Sequence, residues 1–217
     1  MGILFTKRCV LCGKLLSTAD DGQTAMLCRA CAAEIRNSYR CPGHVQVKGA
    51  DEAAAALYYT GAVKSAMHRL KFRHMPHYAD WFAAQTAPLL AARLDEWKPD
   101  LVTFAPIGRL HLYQRGYNQA ELLARAIAQL LALPCAPTLR KRNFAPKQSA
   151  QQSAEARWVN ADRSFLPRKN TDLTGKSVIF VDDIITTGAT AAAAVHLLRQ
   201  MGAARVYVLA PTKVPRG

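Results

Sequence analysis

The sequence predicts an α/β protein: a parallel sheet flanked by helices, preceded by a small cysteine-rich module. Three observations predict it. First, apolar β-prone runs alternate with helix-period runs along most of the chain, the pattern of a parallel sheet built through right-handed crossovers. Second, Val178 to Val181 is uninterrupted apolar sequence, as a central strand buried on both faces requires, and a helix-period run, Ala191 to Met201, follows within a few residues. Third, Cys9-Val-Leu-Cys12 and Cys28-Arg-Ala-Cys31 form C-x2-C-x15-C-x2-C ahead of all these elements.

In chain order, Ala55 to Tyr59 reads as a short strand and Gly61 to Phe72 as a basic helix, with Tyr78 to Trp97 as a second, longer helix. Leu101 to Ala105 is apolar and β-prone and ends in Pro106-Ile-Gly-Arg109, with an Asn118 to Leu131 helix beyond it. Leu133 to Leu139 is read as a strand, Arg140 to Asn160 as a polar excursion, and Val206 to Ala210 as the strand that ends the sheet. The resulting division is a module over 1–44, a linker over 45–54 and the α/β domain over 55–214. Ligands of such sheets bind at the carboxyl ends of the strands, so the loops 106–118 and 182–190 are expected to face one crevice.

The four cysteines have the spacing that brings thiolates from two tight turns to one tetrahedral cation, and zinc is the expected ion. Gly13 suits the turn after the first pair. Few large apolar groups occur in the first 50 residues, so metal binding would supply most of the local folding energy. Disulfides do not fit a chain without a secretion signal, and a redox C-x-x-C explains one pair but not the second. Cys41-Pro-Gly-His44 offers two further ligand types, yet six candidates cannot complete two four-ligand sites; it is read as a linker remnant, and Cys135 as an ordinary buried thiol.

Val178-Ile-Phe-Val-Asp-Asp-Ile-Ile-Thr-Thr-Gly-Ala-Thr190 places two carboxylates and a small-residue turn at a strand end. Backbone N–H groups from Thr186 to Thr190, Ala189 among them, would point from a helix N-terminus, where the helix dipole favours a phosphate. Gly188 allows φ > 0 and close approach of an oxyanion, and the hydroxyls of Thr186, Thr187 and Thr190 add donors. Asp182 and Asp183 would repel a phosphate but suit sugar hydroxyls and Mg²⁺. Diol at the acids and phosphate at the threonines describes ribose 5-phosphate. Neither a dinucleotide-binding G-x-G-x-x-G nor a P-loop occurs in the chain, and a receiver domain would carry its aspartate pair near the N-terminus.

Net charge is +14, from 29 basic and 15 acidic residues, and both parts of the chain are basic, which favours anionic partners without choosing among polyphosphate, nucleic acid and membrane. No apolar run approaches a membrane span and the first residues lack a signal-peptide core, so the expected location is cytoplasmic.

The 178–190 segment resembles the 5-phosphoribosyl-1-pyrophosphate (PRPP) motif of type I phosphoribosyltransferases at every position. Tyr58-Tyr-Thr-Gly-Ala-Val, Leu70-Lys-Phe72, Arg115-Gly-Tyr-Asn-Gln119 and Gln151 to Arg157 with Asn160, together with the cysteine module, resemble the ComF family of competence-associated proteins over essentially the whole chain. Relatives commonly show a further C-x-x-C where this chain has Cys41-x-x-His44. The resemblance implies a type I phosphoribosyltransferase fold, PRPP with Mg²⁺ as ligand, Asp182 and Asp183 as catalytic acids, and structural Zn²⁺ on Cys9, Cys12, Cys28 and Cys31. It implies pyrophosphate on the loop after Ala105, met by Arg109 and Arg115, and a hood from Arg140-Lys-Arg142 to Lys147 over bound PRPP. Lys71 and Arg73 are further cations that could face the crevice, although a helical surface lysine is the commoner case.

The implied role lies in natural transformation and DNA uptake, alongside other competence proteins, with dimers usual among relatives. Two activities fit this setting: transfer of the phosphoribosyl group to an acceptor the sequence does not reveal, or non-catalytic binding of single-stranded DNA by charge and by aromatics such as Trp81, Tyr113 and Tyr117.

Overall fold

The structure, a computed structural model, describes residues 8–16, 26–142 and 164–215. Its main sheet has the order β1-β2-β8-β6-β3, from β1 (Arg40–Val45), β2 (Glu52–Tyr58), β3 (Leu101–Phe104), β6 (Ser177–Val181) and β8 (Arg205–Lys213). All neighbours are parallel except β1, which runs antiparallel to β2. A two-residue strand, β7 (Ile184–Ile185), continues beside the end of β8, and β4 (Leu139–Lys141) and β5 (Phe165–Pro167) form a separate hairpin.

Both faces are covered, which is why the central strands are apolar without alternation. Ile179 and Val181 of β6 and Leu209 of β8 pack with α2 (Gly61–Phe72), α3 (Tyr78–Ala91) and α6 (Gln119–Leu130) through Met67, Phe82 and Ile127. Val178, Phe180 and Val208 point the other way, onto α7 (Ala189–Gln200) through Ala194 and Leu198. The alanines of α7 let that helix lie close to the sheet.

Several boundaries differ from the sequence reading. Residues expected as linker, 45–54, contain the end of β1 and the start of β2, joined by a turn at Gly49 (φ +82°). Val47 in that turn is buried, and a Cβ on Gly188 would sit 3.6 Å from it, so this segment supports the acidic motif's loop. The expected helix from Tyr78 to Trp97 breaks after Ala91 into a short turn, α4 (Leu94–Trp97). Pro88 lacks a donor for the preceding turn, and the tail is drawn toward β2, where Arg93 and Trp97 donate to the Glu52 carboxylate at 2.8 and 3.0 Å. Trp97 then stacks on Tyr207 at 4.3 Å.

The expected strand from Leu133 to Leu139 reduces to a single bridge, Val102 to Cys135, because Pro134 and Pro137 carry no N–H; β4 begins only at Leu139. The loop 106–118 contains a helix, α5 (Arg109–Arg115), with no buried residue, whose apolar Leu110 and Leu112 concealed it from a periodicity argument. Gln151 to Arg157, Asn160 and the hood beyond Arg142 lie outside the described residues.

In the N-terminal part, Cys28 precedes α1 (Arg29–Glu34), which runs into a π-helical turn over 35–39 that leads directly into β1. Arg69 of α2 donates to the carbonyls of Val10 and Leu11 at 2.7 and 2.6 Å, fastening the first cysteine turn to the α/β core.

Candidate functional site

Asp182 and Asp183 follow β6 at its carboxyl end. The chain turns there because the Asp183 N–H donates to Asp182 Oδ1 at 2.8 Å while the Asp182 N–H still donates to Leu209 of β8 at 3.1 Å. Thr212 Oγ1 donates to the Asp183 carbonyl at 2.9 Å and pins the turn. After β7, Thr186 and Thr187 are exposed, and Gly188 takes φ +79° as the N-cap of α7. An L-residue is strained in that conformation, which accounts for glycine here. The helix begins at Ala189, so the amides of Ala189, Thr190 and Ala191 have no carbonyl one turn back; Ala189 makes only a 3.4 Å contact to Thr187 Oγ1. The amides of Thr186 and Thr187 belong to the turn rather than to the helix start.

The two acids are unequal. Asp183 Oδ2 accepts from Lys71 Nζ at 2.9 Å and from Gln119 Nε2 at 3.2 Å. Asp182 has its carboxyl pushed up to about 7 by burial and by the Asp183 charge, against the opposing pull of the Asp183 N–H, Lys71 and Lys141. Lys141, in β4, is itself pulled below the ordinary lysine range by burial, and its ammonium lies 4.6 Å from the Phe165 ring. Two lysines, one from α2 and one from β4, thus accompany two aspartates.

The two arginines expected to act together are separated by α5. Arg109, exposed at its start, lines a cavity of about 520 Å³ with Pro106, Arg140, Lys141 and Arg168. Arg115, at its end, lies 4.7 Å over the Phe72 ring and lines a concavity of about 180 Å³ with Lys71, His74 and His111. Arg73 faces elsewhere, beside Lys64 and His68. Trp81 is core, and Tyr117 is tied down by its hydroxyl, which donates to the Leu70 carbonyl at 2.5 Å.

Gln119 and Lys141 were missed as site residues. Gln119 stands in the Arg115-to-Gln119 segment singled out in the sequence, but nothing in one chain says that this amide reaches a strand end 64 residues away. Lys141 is hidden inside what reads as a mobile basic stretch.

Cys9, Cys12, Cys28 and Cys31 come together with sulfurs within 4.8 Å of one another, so the four can hold a metal ion. Cys12 and Cys28 Sγ are 3.8 Å apart, and a tetrahedron of Zn–S bonds about 2.3 Å long has edges of about 3.8 Å. Burial raises the Cys9 thiol, but the N–H groups of Cys12, Cys28 and Leu11 outweigh it and hold Cys9 at about 7; burial and the neighbouring sulfurs push Cys31 up. Cys41 is buried in β1, and His44 is exposed on the same strand, so neither is a linker residue. Cys135 is only half-buried.

An αL glycine cap behind paired acids at the end of a central parallel strand defines a type I phosphoribosyltransferase-like protein, and residues 118–216 match the phosphoribosyl transferase domain family. The chain is 27% identical over 228 residues to competence protein F of Haemophilus influenzae, spanning 94% of this chain and 96% of that one. It is 30% identical over 153 residues to the DNA utilization protein YhgH of Salmonella typhimurium, covering 69% of this chain and 66% of that protein. An adenine phosphoribosyltransferase crystal structure overlaps 66% of this chain and 74% of its own, at 25% identity and a TM-score of 0.42. The chain is thus similar, over most of its length, to competence-associated proteins of the ComF type that carry a phosphoribosyl transferase domain. Among the described residues no helix is long and apolar enough to cross a membrane.

Proposed function

We propose that the crevice at the ends of β3 and β6 binds PRPP or a related 5-phosphorylated ribose with Mg²⁺, in a phosphoribosyltransferase-like protein that serves DNA uptake. The observation that carries this reading is the spacing of two chemistries on one turn: acceptor carboxylates at Asp182 and Asp183, and, six residues on, the Gly188 cap with free amides and the hydroxyls of Thr186, Thr187 and Thr190. The carboxylates hold the ribose hydroxyls, and the cap holds the 5-phosphate. Oxygen donors of this kind suit Mg²⁺, which when bound supplies neutralisation of the leaving diphosphate.

In displacement at the anomeric carbon, positive charge grows on the ribose ring, and Asp183, held by Gln119, stabilises it more in the transition state than in the ground state. Neither acid has to carry a proton. Arg115, which shares a concavity with Lys71, meets the diphosphate, while Arg109 lines a different cavity. The four cysteines hold structural zinc, whose binding adds folding energy to the first module. The names of the relatives, a competence protein and DNA utilization proteins, support a part in handling incoming DNA.

The test is calorimetric titration of PRPP with magnesium into the wild-type chain and Asp183→Asn. Magnesium-dependent heat is expected from the first and a loss of at least tenfold in affinity from the second. Unchanged binding by Asp183→Asn would show the site to be wrongly placed.

A second reading rests on α5, where Tyr113 is 89% and Leu110 66% exposed beside Arg109. An exposed aromatic within a basic surface suits stacking of single-stranded DNA bases. Oligonucleotide affinity that falls steeply with salt and survives Asp183→Asn supports a DNA surface separate from the sugar site.

A further inference from the structure

The ion pair between Lys71 and Asp183 is not an ordinary surface contact. The two side chains are only 17% and 13% exposed, and the ammonium sits 2.9 Å from Oδ2, on the carboxylate that the proposed ligand needs. The turn that carries it is anchored by the two residues before it. One residue before it, the Leu70 carbonyl accepts from Tyr117, and two residues before it, Arg69 is bound to Val10 and Leu11. Lys141, in β4, is near enough for its charge to act on Asp182, so a second lysine accompanies the acid pair.

Gln119 supplies an independent observation. It is 6% exposed and spends its Nε2 on Asp183, while its Oε1 is buried with no partner among the described residues. Turning the amide over would place its oxygen against the carboxylate, so the assigned orientation is the one the charges demand. A carboxamide's oxygen and nitrogen are only about 2.2 Å apart, from bonds of about 1.2 and 1.3 Å, so this unused acceptor lies beside the acid pair. Buried acceptors are normally satisfied, and this one lacks a donor that a ligand hydroxyl or a metal-bound water would bring.

We propose that Lys71 is a specificity-determining residue: its ammonium takes the place of a divalent cation on Asp183 and so excludes the free metal ion, admitting metal only with an anionic ligand that can receive the displaced lysine. This deepens the reading of the crevice as a phosphorylated-sugar site and rests on it for the identity of the ligand. The physical reason is the surroundings of the displaced ammonium. The concavity beside Lys71 is lined by Arg115, His74, His111 and Gln114, none of which is an acid. A bare Mg²⁺ would drive the lysine toward Arg115 with no acid in the concavity to receive it, whereas a polyphosphate carries the negative charge that accepts it.

The experiment measures Mn²⁺ binding, by electron paramagnetic resonance, to the wild-type chain, Lys71→Met and Lys71→Arg, with circular dichroism to confirm folding. In parallel, metal-free ribose 5-phosphate is titrated calorimetrically. Wild type and Lys71→Arg are expected to bind free Mn²⁺ weakly, and Lys71→Met roughly tenfold or more tightly, because a unit positive charge next to the acids is gone. Should Lys71→Met not fold, Lys71→Gln removes the same charge and must show the same gain. Folded variants without the lysine that bind Mn²⁺ no better than wild type overturn the proposal, as does wild type that binds free Mn²⁺ as tightly as they do. A gain in Mn²⁺ affinity without any ribose 5-phosphate binding upholds cation exclusion and overturns the sugar reading instead.

Discussion

Asp182 makes the structure's sharpest demand on a pH measurement. Its carboxyl is held near 7 in the fold, first by burial and then by Asp183, against an ordinary value near 3.9 in the unfolded chain. A raised acid favours the protonated native state. Below pH 4 both states are protonated and the group is neutral in its effect. Between pH 4 and 7 the unfolded chain loses the proton while the native chain keeps it, so stability falls as pH rises; above 7 the cost is complete. The separation of the two values corresponds to about 4 kcal/mol as an upper bound, at about 1.4 kcal/mol per pH unit. Asp182→Asn mimics the protonated acid, and its carbonyl can still accept from the Asp183 N–H. Urea unfolding followed by tryptophan fluorescence should therefore show a variant more stable by about 1 kcal/mol at pH 4.5 and by about 2 to 4 kcal/mol at pH 8. A difference that stays flat across that range, or that favours wild type as pH rises, refutes the electrostatic reasoning.

Other expectations follow from single contacts. Gly188→Ala must force an L-residue to φ +79°, at a cost of about 1 to 2 kcal/mol, and should weaken PRPP binding while leaving Mn²⁺ binding alone; thermal melts and calorimetry check both. Arg69→Met removes two charged hydrogen bonds to the first cysteine turn, so the module should loosen by about 2 to 3 kcal/mol, seen as faster thiol labelling of Cys9 and Cys12 than of Cys135. Cys28→Ser should lose stoichiometric zinc by elemental analysis, and retained metal would count against the four-cysteine set.

The sheet was legible because burial on both faces leaves an unmistakable trace: Val178 to Val181 has no polar residue because Ile179 and Val181 meet one helix layer while Val178 and Phe180 meet the other. The acid pair and the glycine cap were legible for a similar local reason, since turn chemistry is written within a few residues. What escaped was long-range. The segment around Val47 looks like a linker because it is polar and short, yet buried Val47 supports Gly188. The 133–139 run has strand composition, but two prolines leave it a single bridge. Lys71 was named as a cation that could face the crevice, but Gln119 looks like an ordinary helix residue, and only the packing of α6 brings its amide to Asp183. Arg109 and Arg115 are six positions apart, and the unforeseen helix between them turns them to different cavities.

The proposed grip of one turn on both ends of a phosphorylated pentose is best tested by a crystal soaked with PRPP and magnesium. The ribose hydroxyls are expected at Asp182 and Asp183, with Lys71 moved off Asp183, and the 5-phosphate on the amides that follow Gly188. Ligand bound with its phosphate away from that cap, or Lys71 still paired to Asp183 with the sugar elsewhere, would contradict it.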